Sequence, residues 1–276
     1  MDPEWGKMIK AYVLWLRASG KPSTTVGLRR HQLAHMARSL ECSPALVTTD
    51  VLTAWMGVQP WALETRRSYR AAARGFFAWA IKSGRTATDP AADLPPVKQP
   101  IGTPKPAPDG AYVSATILAD RRVLLMLRLA AEAGLRRAEV AQVHTADVRH
   151  GAGGWQLLVH GKGDKQRVVP LSDGLADLVR AGAAGHTPLA TRTGFLFPGD
   201  DGGHLSPGWV GTLCSRVLPK GWSMHSLRHR FATRAYQGSR NIRAVQILLG
   251  HASVATTERY TAVDDRELRE AMICAS

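Results

Sequence analysis

The chain has 276 residues, 45% of them apolar, with 36 Lys and Arg against 22 Asp and Glu, a formal net charge of +14. That length and apolar content suffice for two domains with packed cores, and the basic excess suits a polyanion, either nucleic acid or an anionic membrane surface. No apolar run approaches the ~18 residues of a membrane span, Asp2 and Glu4 precede the first apolar cluster where a signal peptide would be basic, and Cys42, Cys214 and Cys274 form no C-x-x-C pair, which argues against a disulfide framework or a zinc site and leaves nucleic acid in a reducing cytoplasm as the expectation.

Asp2-Pro3 is a helix start, and Trp5, Met8, Ile9, Tyr12, Val13 and Leu16 recur at helical spacing until Ser19-Gly20. A second helix is predicted from Ser23 to about Leu40, a third over 50–56 and a fourth over 64–81. On the fourth, Tyr69, Ala73, Phe76, Phe77 and Ala80 make an apolar stripe. Arg66, Arg70 and Arg74 share a different face at four-residue spacing, and no acid within that stripe is placed to pair with them. Stacked like charges disfavour a helix unless an anion arrives, so these arginines are candidate phosphate contacts; the alternative is a solvated face.

Seven prolines fall between Pro90 and Pro108. Proline fixes φ and disfavours helix at the residue before it, so this stretch reads as a stiff, extended connector. The boundaries expected are a helical domain over 1–89, a linker over 90–112 and a second domain over 113–276. In that second part a long helix is predicted from Ser114 to Ala133, broken by Gly134, with a further helical turn over 137–143. Then the period changes: 155–160 and 167–171 are β-prone, with the Gly161–Gln166 turn between them. Helices return over 173–181, 207–218, 226–237 and 242–249, then from Thr256 toward Tyr260, and a last amphipathic segment covers 264–274. The fold class is mainly α with a small antiparallel β-sheet.

The residues that carry chemistry lie in this second part. The run His225-Ser-Leu-Arg228-His229 is followed by Leu249-Gly-His251 and, nine residues later, by Tyr260. Upstream stand Gly134-Leu135-Arg136 with Glu139 three residues on, and Gly161-Lys162-Gly163 at the hairpin turn. Each piece alone has an ordinary explanation: a helix-ending arginine, turn lysines, a buried histidine, one of five tyrosines. Together, in this order, they resemble the catalytic domain of the tyrosine recombinases, the phage integrase and Xer-type enzymes of DNA strand exchange. The signature of that family is an H-x-L-R-H run, an L-G-H and a nucleophilic tyrosine, preceded by a G-L-R-x-x-E box and a lysine on a β-hairpin. The helical N-terminal region resembles the family's core-type DNA-binding domain in pattern only.

The resemblance implies a catalytic set of Arg136, Lys162, His225, Arg228, His251 and Tyr260, with Glu139 in support and DNA contacts from Arg66, Arg70, Arg74 and Lys165. Cleaving a phosphodiester requires a nucleophile, charge neutralisation on the pentavalent phosphorus and a proton for the leaving oxygen. Arginine forks suit the non-bridging oxygens, histidines move protons near neutrality, and a tyrosine hydroxyl becomes a nucleophile among cations. It further implies a two-domain clamp on double-stranded DNA and a tetramer on two sites, with an accessory directionality factor as a further partner and no membrane. No cofactor and no metal are implied, because the bond energy is kept in a 3′-phosphotyrosine ester. The form expected is a compact phage-type integrase without an arm-binding domain. The alternatives are a type IB topoisomerase-like relaxing enzyme and a DNA-binding factor that does not cleave.

Overall fold

The structure is a computed structural model and describes residues 2–98, 103–161, 163, 165–190 and 193–251. The chain divides into two compact units, residues 1–102 and 103–276.

Among the described residues, the first unit holds four α-helices, α1 (Pro3–Ala18), α2 (Ser23–Leu40), α3 (Thr49–Val58) and α4 (Leu63–Lys82). Asp2 caps α1 by accepting the Glu4 N–H, and Pro3 occupies the first helical position, where a missing N–H costs nothing. The periodic apolar residues of α1 meet Phe76 and Phe77 of α4. Trp5 stacks on Phe76 at 5.5 Å and meets Phe77 edge-on at 6.0 Å, while its indole N–H donates to the Cys42 carbonyl. Such buried rings each contribute about 1.5–3 kcal/mol of burial. Ala91 and Leu94, at the start of the proline-rich stretch, belong to this same core.

The arginine stripe of α4 is not left unrelieved. Arg66 donates to the carbonyls of Met56 and Gln59, which satisfies the C-terminal end of α3, and Arg70 donates from Nε and Nη2 to the Leu94 carbonyl. Of the three, Arg74 is exposed and makes no hydrogen bond or ion pair with any described residue.

The second unit opens at α5 (Asp109–Leu118) and α6 (Arg121–Glu132). A single helix over 114–133 was expected; Ala119 turns out of helical geometry, and Asp120 caps a new helix by accepting the Val123 N–H at 2.8 Å. The first of these helices starts at Asp109, so Ser114 lies inside it. Helix α6 is the central element, burying residues around most of its circumference, and it packs against α7 (Arg137–Gln142), α9 (Pro207–Val217) and α10 (Met224–Ser239). Beside it lies an antiparallel sheet in the order β1 (Val148–Gly151), β2 (Gly154–His160) and β3 (Gln166–Pro170), with α8 (Asp173–Arg180) against it. Strand β1 was not expected, because its four residues, Val-Arg-His-Gly, carry no apolar alternation. The register pairs Leu157 with Val169 and Val159 with Arg167, so the buried face of the sheet is continuous across β2 and β3. Helix α11 (Ile242–Leu249) follows α10 and ends at Gly250. The helical turn expected from Thr256 and the segment expected over 264–274 lie outside the described residues.

Candidate active site

Guanidinium groups from three separate parts of the chain converge on the carboxylate of Glu139. It lies in the first turn of α7 and accepts the backbone N–H of Arg136 at 2.7 Å, closing the open end of that helix. The same carboxylate takes Nη1 of Arg136 at 2.8 Å and both terminal nitrogens of Arg167 at 2.8 Å each; Nη1 of Arg228 stands 3.7 Å away. Glu139 is only 4% exposed and Arg228 only 1%. Burial alone would push the Glu139 carboxyl upward; the hydrogen bonds and charges of Arg167 and Arg136 outweigh it and hold the pKa at about 2. One anion among three guanidinium groups leaves the site with a net surplus of positive charge.

Arg228 lies on α10 and faces into the unit. It donates to the carbonyls of Gly134, just before the Arg136 turn, and of Leu249, at the end of α11. Its Nη2 is 3.4 Å from Nε2 of His251. Arg136 is 42% exposed, and its Nη2 reaches toward the Gly250 carbonyl at 3.5 Å. Gly250 holds φ at +61°, a left-handed conformation that ends α11 and turns His251 back toward the arginines. A side chain there would also stand 3.0 Å from Cδ of Arg167. The position thus needs glycine for its backbone and for its neighbour.

Three histidines sit in this field. Burial and then the Arg228 and Arg136 charges lower the pKa of His225, and burial with those of Arg228, Arg136 and Arg167 brings His251 down to about 4. His229, one turn after His225 with ring centroids 4.3 Å apart, is also held near 4, by burial first and then by His225 and Arg228. Burial and the neighbouring arginines thus favour the neutral form of these imidazoles in the free protein.

The structure therefore gathers Arg136, Glu139, His225, Arg228 and His251. Lys162 and Tyr260 lie outside the described residues. The neck of the hairpin that carries Lys162 is nearby: a Cβ placed on Gly161 would stand 3.9 Å from Oε1 of Glu139. Lys165 is exposed at the end of the same hairpin, and its carbonyl accepts the Gly161 N–H at 2.7 Å. Arg66, Arg70 and Arg74 lie on α4 of the first unit.

Arg167 is the member that the sequence did not flag. Besides its double bond to Glu139 it donates Nε to the Leu248 carbonyl at 2.8 Å, so it ties β3 to α7 and to the end of α11. The signal was available: Arg167 shares the inward parity of Val169, and a charged residue on the buried face of a strand needs a partner.

A cleft of about 770 Å³ opens beside this cluster, with Arg136 and His225 on one wall and α9 on the other.

Residues 114–267 match the model of the Phage integrase family. A tyrosine recombinase XerC of Corynebacterium efficiens is 30% identical, over 98% of this chain and 92% of its own length. One from Azotobacter vinelandii is 35% identical, over 71% of this chain and 69% of its own. Among solved structures, a XerH site-specific recombinase bound to difH in a pre-cleavage complex aligns with a TM-score of 0.69 at 22% identity, over 90% of this chain and 78% of that one. A lambda integrase dimer bound to a COC′ core site aligns with a TM-score of 0.73 at 19% identity, over 95% and 77%. These two likenesses are ones of fold. With a family match over more than half its length and a near full-length relative, the chain belongs to the phage integrase family and is a tyrosine recombinase.

Proposed function

We propose that the protein is a site-specific recombinase that cuts and rejoins double-stranded DNA through a 3′-phosphotyrosine at Tyr260. The observation that carries this reading is the convergence of Arg136, Arg228 and His251 from three separate parts of the chain, with the Arg228–His251 approach of 3.4 Å at its centre.

In this reading Arg136, the more exposed arginine, takes a non-bridging oxygen of the scissile phosphate. Arg228 lends its charge from the protein interior while it fixes the Gly134 and Leu249 carbonyls that frame the site. The Tyr260 oxygen attacks phosphorus as its proton passes to a neutral histidine of the site. The bond from phosphorus to the 5′ oxygen breaks, and Lys162 gives that oxygen a proton. Rejoining runs the same steps backward with a 5′-hydroxyl from the partner strand. The phosphate itself reverses the histidine electrostatics: its negative charge favours the protonated imidazoles that the arginines disfavour in the free protein.

The first unit, residues 1–102, is read as the core-type DNA-binding unit and the second as catalytic, with four protomers on two duplexes. The XerC relatives support Xer-type exchange between two sites; phage-type integration with an accessory directionality factor is the narrower reading. The test is to supply supercoiled plasmids bearing one or two copies of the DNA that flanks the protein's own gene. Recombinant circles from the two-site plasmid are the expected result. Relaxation of both plasmids without recombinants would point to a topoisomerase-like enzyme, and binding without either to a non-cleaving factor.

A further inference from the structure

Among the described residues, the cleft beside Arg136 is lined by three arginines and by no acidic residue. One of them, Arg137, directly follows Arg136 in the G-L-R-x-x-E box, and unlike its neighbour it has no carboxylate partner among the described residues. It is exposed and forms no hydrogen bond or ion pair with any described residue. Its place is nevertheless specific. A Cβ built on Gly211 of α9 would stand 2.7 Å from Cδ of Arg137 and 2.8 Å from its Nη1, closer than such atoms come. The Arg137 side chain therefore crosses the bare backbone of α9 at Gly211, and a methyl group there would have to displace it. Gly211 sits in the middle of an 11-residue helix, where glycine costs about 1 kcal/mol relative to alanine. Arg216 projects into the same cleft from the last turn of α9, its guanidinium 5.3 Å from the Trp209 ring centroid.

We propose that Gly211 is a seat for Arg137, and that the seated guanidinium binds a DNA backbone phosphate adjoining the one held by Arg136, with Arg216 beside it. An exposed cation with no partner among the described residues, in a cleft whose described lining carries two more arginines and no acid, offers its charge to an anion that enters, and a duplex strand offers phosphates in regular succession. Arg136 is reserved for the reacting phosphate because Glu139 orients it; Arg137, with no such holder, is oriented by the shape of α9 instead. Arg137 is thus a binding and positioning residue, and its effect belongs to duplex affinity more than to the chemical step. The inference rests on the recombinase reading above, but its test is separable from it.

Binding of a short duplex is measured over a range of salt concentrations for the full chain and for Arg137→Ala, Arg137→Lys, Gly211→Ala and the double variant Arg137→Ala/Gly211→Ala. Loss of one phosphate contact should weaken binding about tenfold and reduce the salt slope by about 0.9 for Arg137→Ala. Arg137→Lys keeps the charge and should keep most of the slope. Gly211→Ala, which helix propensity alone would make neutral or stabilising, should reproduce the defect of Arg137→Ala with an undiminished melting temperature. The double variant should be no worse than either single one, because both remove the same contact. In covalent-adduct assays, the loss should fall mainly on the DNA concentration giving half-maximal rate. If Gly211→Ala binds like the parent, or if its defect adds to that of Arg137→Ala, the seat is wrong and Gly211 serves helix packing instead. If Arg137→Ala leaves the slope unchanged, the phosphate contact is wrong. Failure of the parent protein itself to form an adduct would overturn the recombinase reading, and the slopes would still judge the contact.

Discussion

Arg167 closes on Glu139 with two parallel bonds of 2.8 Å, the fork-to-carboxylate geometry in which an arginine is held most rigidly. The pair joins a strand to a helix start, and through Arg136 and the Leu248 carbonyl it also sets the two sides of the site. Arg167 is nearly buried and Glu139 buried, so removing Arg167 takes two charge-assisted bonds from the carboxylate and the donor from the Leu248 carbonyl, while Arg136 still holds Glu139.

Arg167→Ala should therefore lower stability by about 2–3 kcal/mol, well above a surface arginine change. Lysine should not restore it, because a single ammonium cannot bind both oxygens and the Leu248 carbonyl at once. Chemical denaturation of the full chain measures this; a loss no larger than that of an exposed pair, about 1 kcal/mol or less, would show that the pair is not structural.

Stability should fall in two stages on acidification. His229 and His251 have folded pKa values near 4 against an ordinary 6.5. Their neutral forms favour the fold fully above pH 6.5, and that contribution is lost as pH falls through 6.5 toward 4. Glu139, held at about 2 against an ordinary 4.5, adds a second loss between those values, about 3 kcal/mol in all. Unfolding midpoints from pH 7.5 to 3 should decline from near pH 6.5 onward in the parent, and decline less over the first stage in His251→Gln. A flat profile down to pH 4.5 would contradict the histidine assignment.

The three arginines of α4 should separate. Arg74→Ala should reduce the salt slope of DNA binding by about 0.9 at no cost in stability, as expected of an exposed phosphate contact. Arg66→Ala should instead cost about 1–3 kcal/mol, because the Met56 and Gln59 carbonyls lose their donor. Equal effects from the two variants would mean that the carbonyl bonds do not distinguish them.

Much of this was legible because periodicity and motif order are local properties. The helices of the first unit, the β2–β3 hairpin and the G-L-R-x-x-E and H-x-L-R-H pieces all read directly. What escaped were features set by distant partners. The break between α5 and α6 hides in an Ala- and Leu-rich run, and only the cap at Asp120 marks it. Arg66 and Arg70 looked unpaired because their partners are backbone carbonyls, which no residue type announces. Arg167 looked like a strand residue because its partner lies 28 residues earlier in sequence. The Gly211 seat is a contact between two helices, and neither sequence segment signals it.

The central claim is that Tyr260 is the nucleophile. The direct measurement is to incubate the parent and Tyr260→Phe with a nicked, end-labelled duplex from the flanking DNA and to resolve the products under denaturing conditions. The account predicts a protease-sensitive protein–DNA adduct on the 3′-phosphate side for the parent, none for Tyr260→Phe, and nearly equal DNA binding by both, since only the attacking oxygen is lost. An adduct that persists in Tyr260→Phe would contradict the account and place the nucleophile on another residue.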